Sequence, residues 1–245
     1  MPKYRIVIEY DGRPFVGWQR QDNGLGVQHV LELAAGQLTE APVTVYGAGR
    51  TDAGVHASGQ VAHLHLDRDM TAPKLMAALN AHLKPHPVAV VDAALADEDF
   101  HARFSAIERT YLYRIVNRTA PLTFDLGLAW RVPEKLDAAA MDRAGKVLLG
   151  KHDFTTFRAS QCQAKSALKT LDQLDVVRRD DQIYVHARAR SFLHHQVRNM
   201  VGTLRLVGCG KWTDVDVRDA LLAKDRRRGG PTAPPDGLYL TSVGY

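Results

Sequence analysis

The sequence predicts a mixed fold of strands and helices arranged in two halves. Three observations carry that expectation. Apolar residues alternate with period two in short runs, as Tyr4, Ile6, Ile8 and Tyr10 do. Other apolar sets recur at helical spacing, as Val27, Val30, Leu31, Ala34 and Leu38 do. The order strand, helix, strand, strand, helix, strand in the first half is weakly echoed in the second. The 245 residues suffice for one large domain or two small ones, and 45% hydrophobic content can fill a core.

Tyr4–Tyr10 reads as the first strand, ended by the turn residues Asp11-Gly12-Arg13-Pro14. Phe15-Val16-Gly17-Trp18-Gln19-Arg20-Gln21 follows. Such a mix suits stacking on bases with phosphate contact, and it equally suits a loop around one buried Trp. The helical face from Val27 to Leu38 precedes a short strand, Val43–Tyr46. The stretch Gly47 to Ala57 then reads as a loop leading to a second alternating run, Gln60–Leu66. Its glycines and alanines allow positive φ and close backbone approach. It presents Arg50 and Asp52. An arginine two residues from a carboxylate can keep it ionised, and a held, ionised carboxylate can act as a nucleophile. A tight turn whose aspartate caps its own backbone fits the same spacing. His63-x-His65 has a metal-like spacing on one strand face. With no third ligand nearby, it reads as satisfied or solvated histidines. Leu75, Met76, Leu79 and Leu83 predict a second helix, stopped by Pro85 and Pro87. Val88–Val91 reads as a buried strand.

Phe100-His101-Ala102-Arg103 follows an acidic turn, Asp97-Glu98-Asp99. Arg109–Val116 is a strand with Tyr111, Tyr113 and Ile115 on one face, an arrangement that ordinarily means sheet packing. Pro121–Trp130 is irregular. Leu136, Ala140, Met141, Ala144, Val147 and Leu148 predict a helix with Gly150 as its C′ residue. Arg158–Lys169 is a polar loop. Leu174–Arg178 and Ile183–Arg190 read as paired strands, with Arg188 and Arg190 on the polar face, either solvated or meeting phosphates. Phe192–Val207 is the clearest helix. Its apolar stripe includes Leu193, Val197, Met200, Val201 and Leu204, and His194, Arg198 and Arg205 form a polar one. Thr213 and Asp216 resemble a capping box. Arg226-Arg227-Arg228 is a solvated patch or a phosphate contact. Pro231–Pro235 breaks regular structure, and Gly237–Tyr245 ends the chain as a strand.

The formal net charge of +5 leans towards an anionic partner. No run approaches the roughly 20 apolar residues of a membrane span, and the start of the chain has no signal-peptide core. Two cysteines, Cys162 and Cys209, make neither a disulfide framework nor a zinc site, which fits a reducing cytosol.

Seven stretches together resemble the TruA-type tRNA pseudouridine synthase family. They are YDG with GWQRQ, GRTDAGVHA around Asp52, FHAR at Phe100, R-x-Y-x-Y at Arg109, GxxDFxxF at Gly150, FLHHQVRNMVG at Phe192 and the closing GLxLxxVxY. They span nearly the whole chain in the family's order. The resemblance implies an α+β fold of two related halves, residues 1–105 with the aspartate loop and 106–245 with the Tyr and Arg of the site. The halves share a central, mainly antiparallel sheet, with helices on one side and a basic active-site cleft on the other. It implies isomerisation of uridine to pseudouridine at positions 38, 39 and 40 of the tRNA anticodon stem-loop, by a cytoplasmic homodimer. Asp52 would be the nucleophile, Arg198 its pairing arginine, and Tyr111 a residue against the target base and the candidate acceptor of the C5 proton. Arg50 would organise the loop or help extrude the base, and Leu238 would pack near the site. The reaction involves no net redox change or hydrolysis, so no cofactor or metal is expected. Two departures are Ser191, where the family commonly has Gly, and Leu83-Lys84-Pro85-His86-Pro87, longer than the family's turn.

Two other functions share parts of this pattern. A non-catalytic RNA-binding protein on the same scaffold would keep the basic patches without needing Asp52, Arg50, Tyr111 and Arg198 together. A carboxylate-based glycoside or nucleoside hydrolase of the retaining kind would need a second acidic residue about 5–5.5 Å from the first, and no motif here supplies one.

Overall fold

The computed structural model describes residues 1–245 and shows an α+β fold with mainly antiparallel strand pairing. In chain order the elements are β1 (Lys3–Tyr10), α1 (Val27–Gly36), β2 (Tyr46–Gly47), β3 (His56–His65), α2 (Ala72–Leu83), β4 (Val88–Leu95) and β5 (Glu108–Val116). They continue with β6 (Trp130–Arg131), α3 (Ala138–Gly145), β7 (Gly150–Asp153), β8 (Leu168–Arg179), β9 (Gln182–Ala189), α4 (Gln196–Gly208), α5 (Asp214–Ala223) and β10 (Leu238–Gly244). The chain divides into two compact units, Met1–Ile107 with Tyr239–Tyr245, and Glu108–Leu238. No helix is long and apolar enough to cross a membrane.

In the first unit β1 lies between β4 and β3, antiparallel to both. The short β2 pairs antiparallel with the far end of β3, and β10 runs parallel to its start, Tyr239 opposite His56. The period-two run of β1 works as its sequence predicts: Tyr4, Ile6, Ile8 and Tyr10 are buried, together with Ala62, Leu64 and Leu66 of β3 and the residue after it. The helices supply Val27, Val30, Leu31 and Ala34 from α1 and Leu75, Leu79 and Leu83 from α2. Burying side chains of this size contributes about 1.5–3 kcal/mol each. α1 has no side-chain cap, so its stability rests on this packing. A smaller cluster, Ala48, Val61 and Ala102 with Val7, Phe100 and Val243 packed against it, forms a second apolar centre.

The second unit repeats the scheme of a first strand, a helix and an antiparallel pair. Its sheet runs β5-β9-β8-β7, all antiparallel, with β6 parallel to β5. On β9 Ile183, Val185, Ala187 and Ala189 are buried while the alternate residues are partly open. Met141 and Ala144 of α3 and Met200, Val201 and Leu204 of α4 complete this core. α5 begins with a full capping box. The Thr213 hydroxyl accepts from the Asp216 N–H, and the Asp216 carboxylate accepts from the Thr213 N–H at 2.7 Å.

Two local expectations are corrected and a third is refined. The strand expected at Val43–Tyr46 shrinks to Tyr46–Gly47, because side chains of α1 take the backbone of Val45. Its N–H donates to Glu32 Oε1 at 3.1 Å, and its carbonyl accepts from Gln28 Nε2 at 3.0 Å. Gly150 stands where its sequence places it, just past the Leu149 cap of the helical run. α3 ends at Gly145 and tightens into a 3₁₀ turn at Lys146–Leu148, and Gly150, with φ of 92°, also opens β7. The helix expected from Phe192 starts at Gln196, because His195 sits in the left-handed region with φ of 61°.

Candidate active site

The aspartate loop, Ala48–Val55, is built by close contact with a second loop of the first unit. Trp18 N–H donates to the Thr51 carbonyl at 3.0 Å, and Gly54 N–H donates to the Phe15 carbonyl at 3.3 Å. A Cβ on Gly17, whose φ is 114°, would lie 2.7 Å from the Thr51 carbonyl oxygen, and one on Gly12 would lie 2.2 Å from that of Val55. Glycine at both places lets the two backbones touch. From β1 the buried Tyr10 shares a 2.8 Å hydrogen bond with the Thr51 hydroxyl. Burial pushes its phenol far above the ordinary value, more than hydrogen bonds from Thr51 and Gln60 draw it back, so Tyr10 stays neutral. Gln60 on β3 donates to the Gly49 carbonyl at 2.8 Å.

Asp52 is half-buried and opens a β-turn closed by Val55 N–H to the Asp52 carbonyl at 3.1 Å, with Gly54 at φ of 76° in its third position. The tight-turn geometry foreseen for this stretch is present, and a backbone carbonyl closes it. Arg50 is exposed. His56, which follows the turn, is buried. Its Nδ1 accepts from Gly12 N–H at 3.0 Å and its ring stacks on Tyr239 at 4.7 Å.

Tyr111, Arg198 and Leu238 belong to the second unit. Tyr111 is half-buried on β5 and meets the ring of Phe192 edge-on, with centroids 5.2 Å apart at 87°. Arg198 lies in the first turn of α4. Its Nε donates to the Ala233 carbonyl at 2.8 Å, and its own carbonyl accepts from Ala233 N–H at 3.1 Å. The Pro231–Pro235 segment therefore lies directly on α4, which needs Gly202: a Cβ there would stand 1.7 Å from the Pro231 oxygen. Tyr113, pushed up by burial, donates to the Pro234 carbonyl at 2.8 Å. This strapped segment leads to Leu238, which is buried.

A family model described as tRNA pseudouridine synthase matches residues 6–105 and 144–245. The chain belongs to the tRNA pseudouridine synthase family. It is 63% identical over 245 residues to a protein of Paramagnetospirillum magneticum named tRNA pseudouridine synthase A, covering all of this chain and 96% of that protein. Proteins of the same name from Maricaulis maris and Afipia carboxidovorans are 61% and 57% identical over the whole chain, covering 98% and 100% of their lengths. Membership makes this chain an isomerase acting on tRNA.

Several residues inside the matching motifs shape the site region although the sequence gives them no role of their own. Tyr10 and Phe192 read as ordinary apolar positions. Asn199 is more legible in retrospect, as a polar residue between the apolar Val197 and Met200. It is buried, donates to the Phe157 carbonyl at 2.8 Å, and accepts from Thr232 at 2.7 Å and Arg226 at 3.1 Å. The three arginines separate. Arg227 pairs with Asp225, whose carboxyl it holds down at about 2. Arg228 is exposed, and Arg226 turns inward.

Proposed function

We propose that this chain converts uridines at positions 38, 39 and 40 of the tRNA anticodon stem-loop to pseudouridine, with Asp52 as the nucleophile. The observation that carries the proposal is the packing of the aspartate turn. Two glycine contacts and a buried tyrosine fix its backbone while Asp52 stays partly open. A turn needed only to reverse the chain requires none of these.

The reaction breaks the bond from the ribose C1′ to N1 and rejoins C1′ to C5. C5 loses a proton and N1 gains one, so no oxidant, reductant or nucleotide is consumed. Attack by Asp52 on the sugar or on the base both use an ionised carboxylate, and Arg198 is the proposed source of the positive charge that keeps it so. Extruding the base costs a few kcal/mol. Stacking on Tyr111 returns about 1–3 kcal/mol of that. The edge-on Phe192 supports the Tyr111 ring in one orientation. Tyr111 is also the proposed acceptor of the C5 proton, Arg50 organises the loop or helps to extrude the base, and Leu238 packs beside the pocket. The working form is proposed to be a cytoplasmic homodimer, with one tRNA lying across both subunits.

The test uses purified wild-type and Asp52→Ala protein with unmodified tRNA tritiated at uridine C5. Wild type is expected to release tritium and to form pseudouridine at positions 38–40 without added metal or nucleotide. Asp52→Ala is expected to release none while still binding tRNA. Release by both proteins removes the nucleophile role from Asp52, and release by neither removes the activity.

A further inference from the structure

A cavity of about 260 Å³ opens in the second unit beside the start of α4. Ser160, His194, His195, Asn199, Arg226 and Thr232 are among its walls. One terminal nitrogen of Arg226 donates to Asn199 Oδ1 and to Thr232 Oγ1, both at 3.1 Å. No aspartate or glutamate pairs with Arg226, whereas its neighbour Arg227 has Asp225. The guanidinium is also held in place. Asn199 cannot turn away, because its amide nitrogen is committed to Phe157, and Gly229 presses close, where a Cβ would lie 3.0 Å from the other terminal nitrogen.

A partly buried cation without a counter-ion is costly unless a ligand completes it. Burial draws its pKa down, which is the direction an anion would reverse. A planar guanidinium matches the paired oxygens of a phosphate, and the positive end of α4 adds to the attraction. Resting on the tRNA activity proposed above, we infer that this cavity binds one backbone phosphate of the RNA substrate, with Arg226 as its anchoring cation. Arg226 is a positioning residue and takes no part in the bond exchange.

The experiment measures binding of an anticodon stem-loop RNA against KCl concentration, using full-length Asp52→Ala protein with and without Arg226→Gln. Loss of one phosphate contact is expected to weaken binding about five- to tenfold at low salt and to shallow the log–log slope by roughly 0.7. Arg226→Lys, which keeps the charge, is expected to retain the slope. Neutral methylphosphonates placed one at a time in the RNA should reveal a position that weakens binding by the protein with Arg226 intact and leaves binding by the Arg226→Gln variant unaffected. An unchanged slope, or no such position, overturns the inference. So does Arg226-dependent stabilisation by inorganic phosphate with an unchanged RNA slope, which marks a site for a free anion. Tritium release by wild type together with an unchanged slope sinks this inference alone. No release by wild type sinks the proposed function and this inference with it.

Discussion

Gly17 shows how much of the aspartate turn depends on a residue far from it in sequence. Its φ of 114° is strained for any side chain, and a Cβ would press on the Thr51 carbonyl. Gly17→Ala is expected to cost about 1–3 kcal/mol of stability for the backbone strain. If the turn moves by about 1 Å, turnover is expected to fall on the order of 100-fold. Thermal melts and tritium release read the two effects separately, and unchanged turnover would show that the contact does not position Asp52. His63 supplies a pH prediction. Burial, then the neighbouring His101, Lys3 and His65, lowers its pKa from 6.5 to about 4, and its Nδ1 accepts from Ala102 N–H at 3.1 Å. The folded protein keeps this imidazole neutral, while the unfolded chain takes up a proton below 6.5. Its contribution to stability is therefore full above about pH 6.5 and is lost as pH falls towards 4. Denaturant titrations across that window should show the decline, and His63→Gln should flatten it. At this scale Asp52 and Arg198 were singled out in the sequence by the long motifs that enclose them. Arg226 was not, since a run of three arginines gives no sign of which one turns inward.

Elements were legible where a pattern acts locally. β1, β5, β9, α1 and α2 follow their apolar periodicity, and the capping box of α5 stands where Thr213 and Asp216 place it. Thr213→Ala is expected to destabilise the protein by about 1 kcal/mol. Urea unfolding would measure it, and a shift below a few tenths would mean that α5 is held by packing alone. The elements that differed did so through contacts distant in sequence. Val45 bonds to side chains of α1, so an apparent strand lost its ladder. The apolar stripe of α4 runs back to Leu193, yet the left-handed His195 postpones the helix. β8 begins at Leu168, inside a stretch whose polar composition reads as loop, because its partners Gly150–Asp153 and Gln182–Ala189 supply the hydrogen bonds. The path of the Pro231–Pro235 segment was equally hidden, since it depends on close approach to Gly202 of α4.

For the whole molecule, the chain's return to its first unit matters most. Tyr239–Tyr245 adds β10 beside β3, the Tyr245 hydroxyl donates to the Ala102 carbonyl at 2.8 Å, and Ile107 N–H donates to the Gly244 carbonyl at 2.9 Å. Gly59 accommodates the same strand, since a Cβ there would lie 2.1 Å from the Thr241 oxygen. Deleting residues 239–245 is therefore expected to loosen the unit that holds Asp52 more than the one that holds Arg198. Hydrogen exchange should show lost protection in β3 with β9 largely retained, and uniform loss across both would contradict this. During translation the same arrangement sets a delay. Residue 107 leaves the ribosome well before residue 239. At about 5–20 residues per second the nascent first unit waits roughly 7–28 s for its closing strand. Throughout that interval the newborn chain carries Asp52 on an unfinished sheet, beside a ribosome crowded with tRNA.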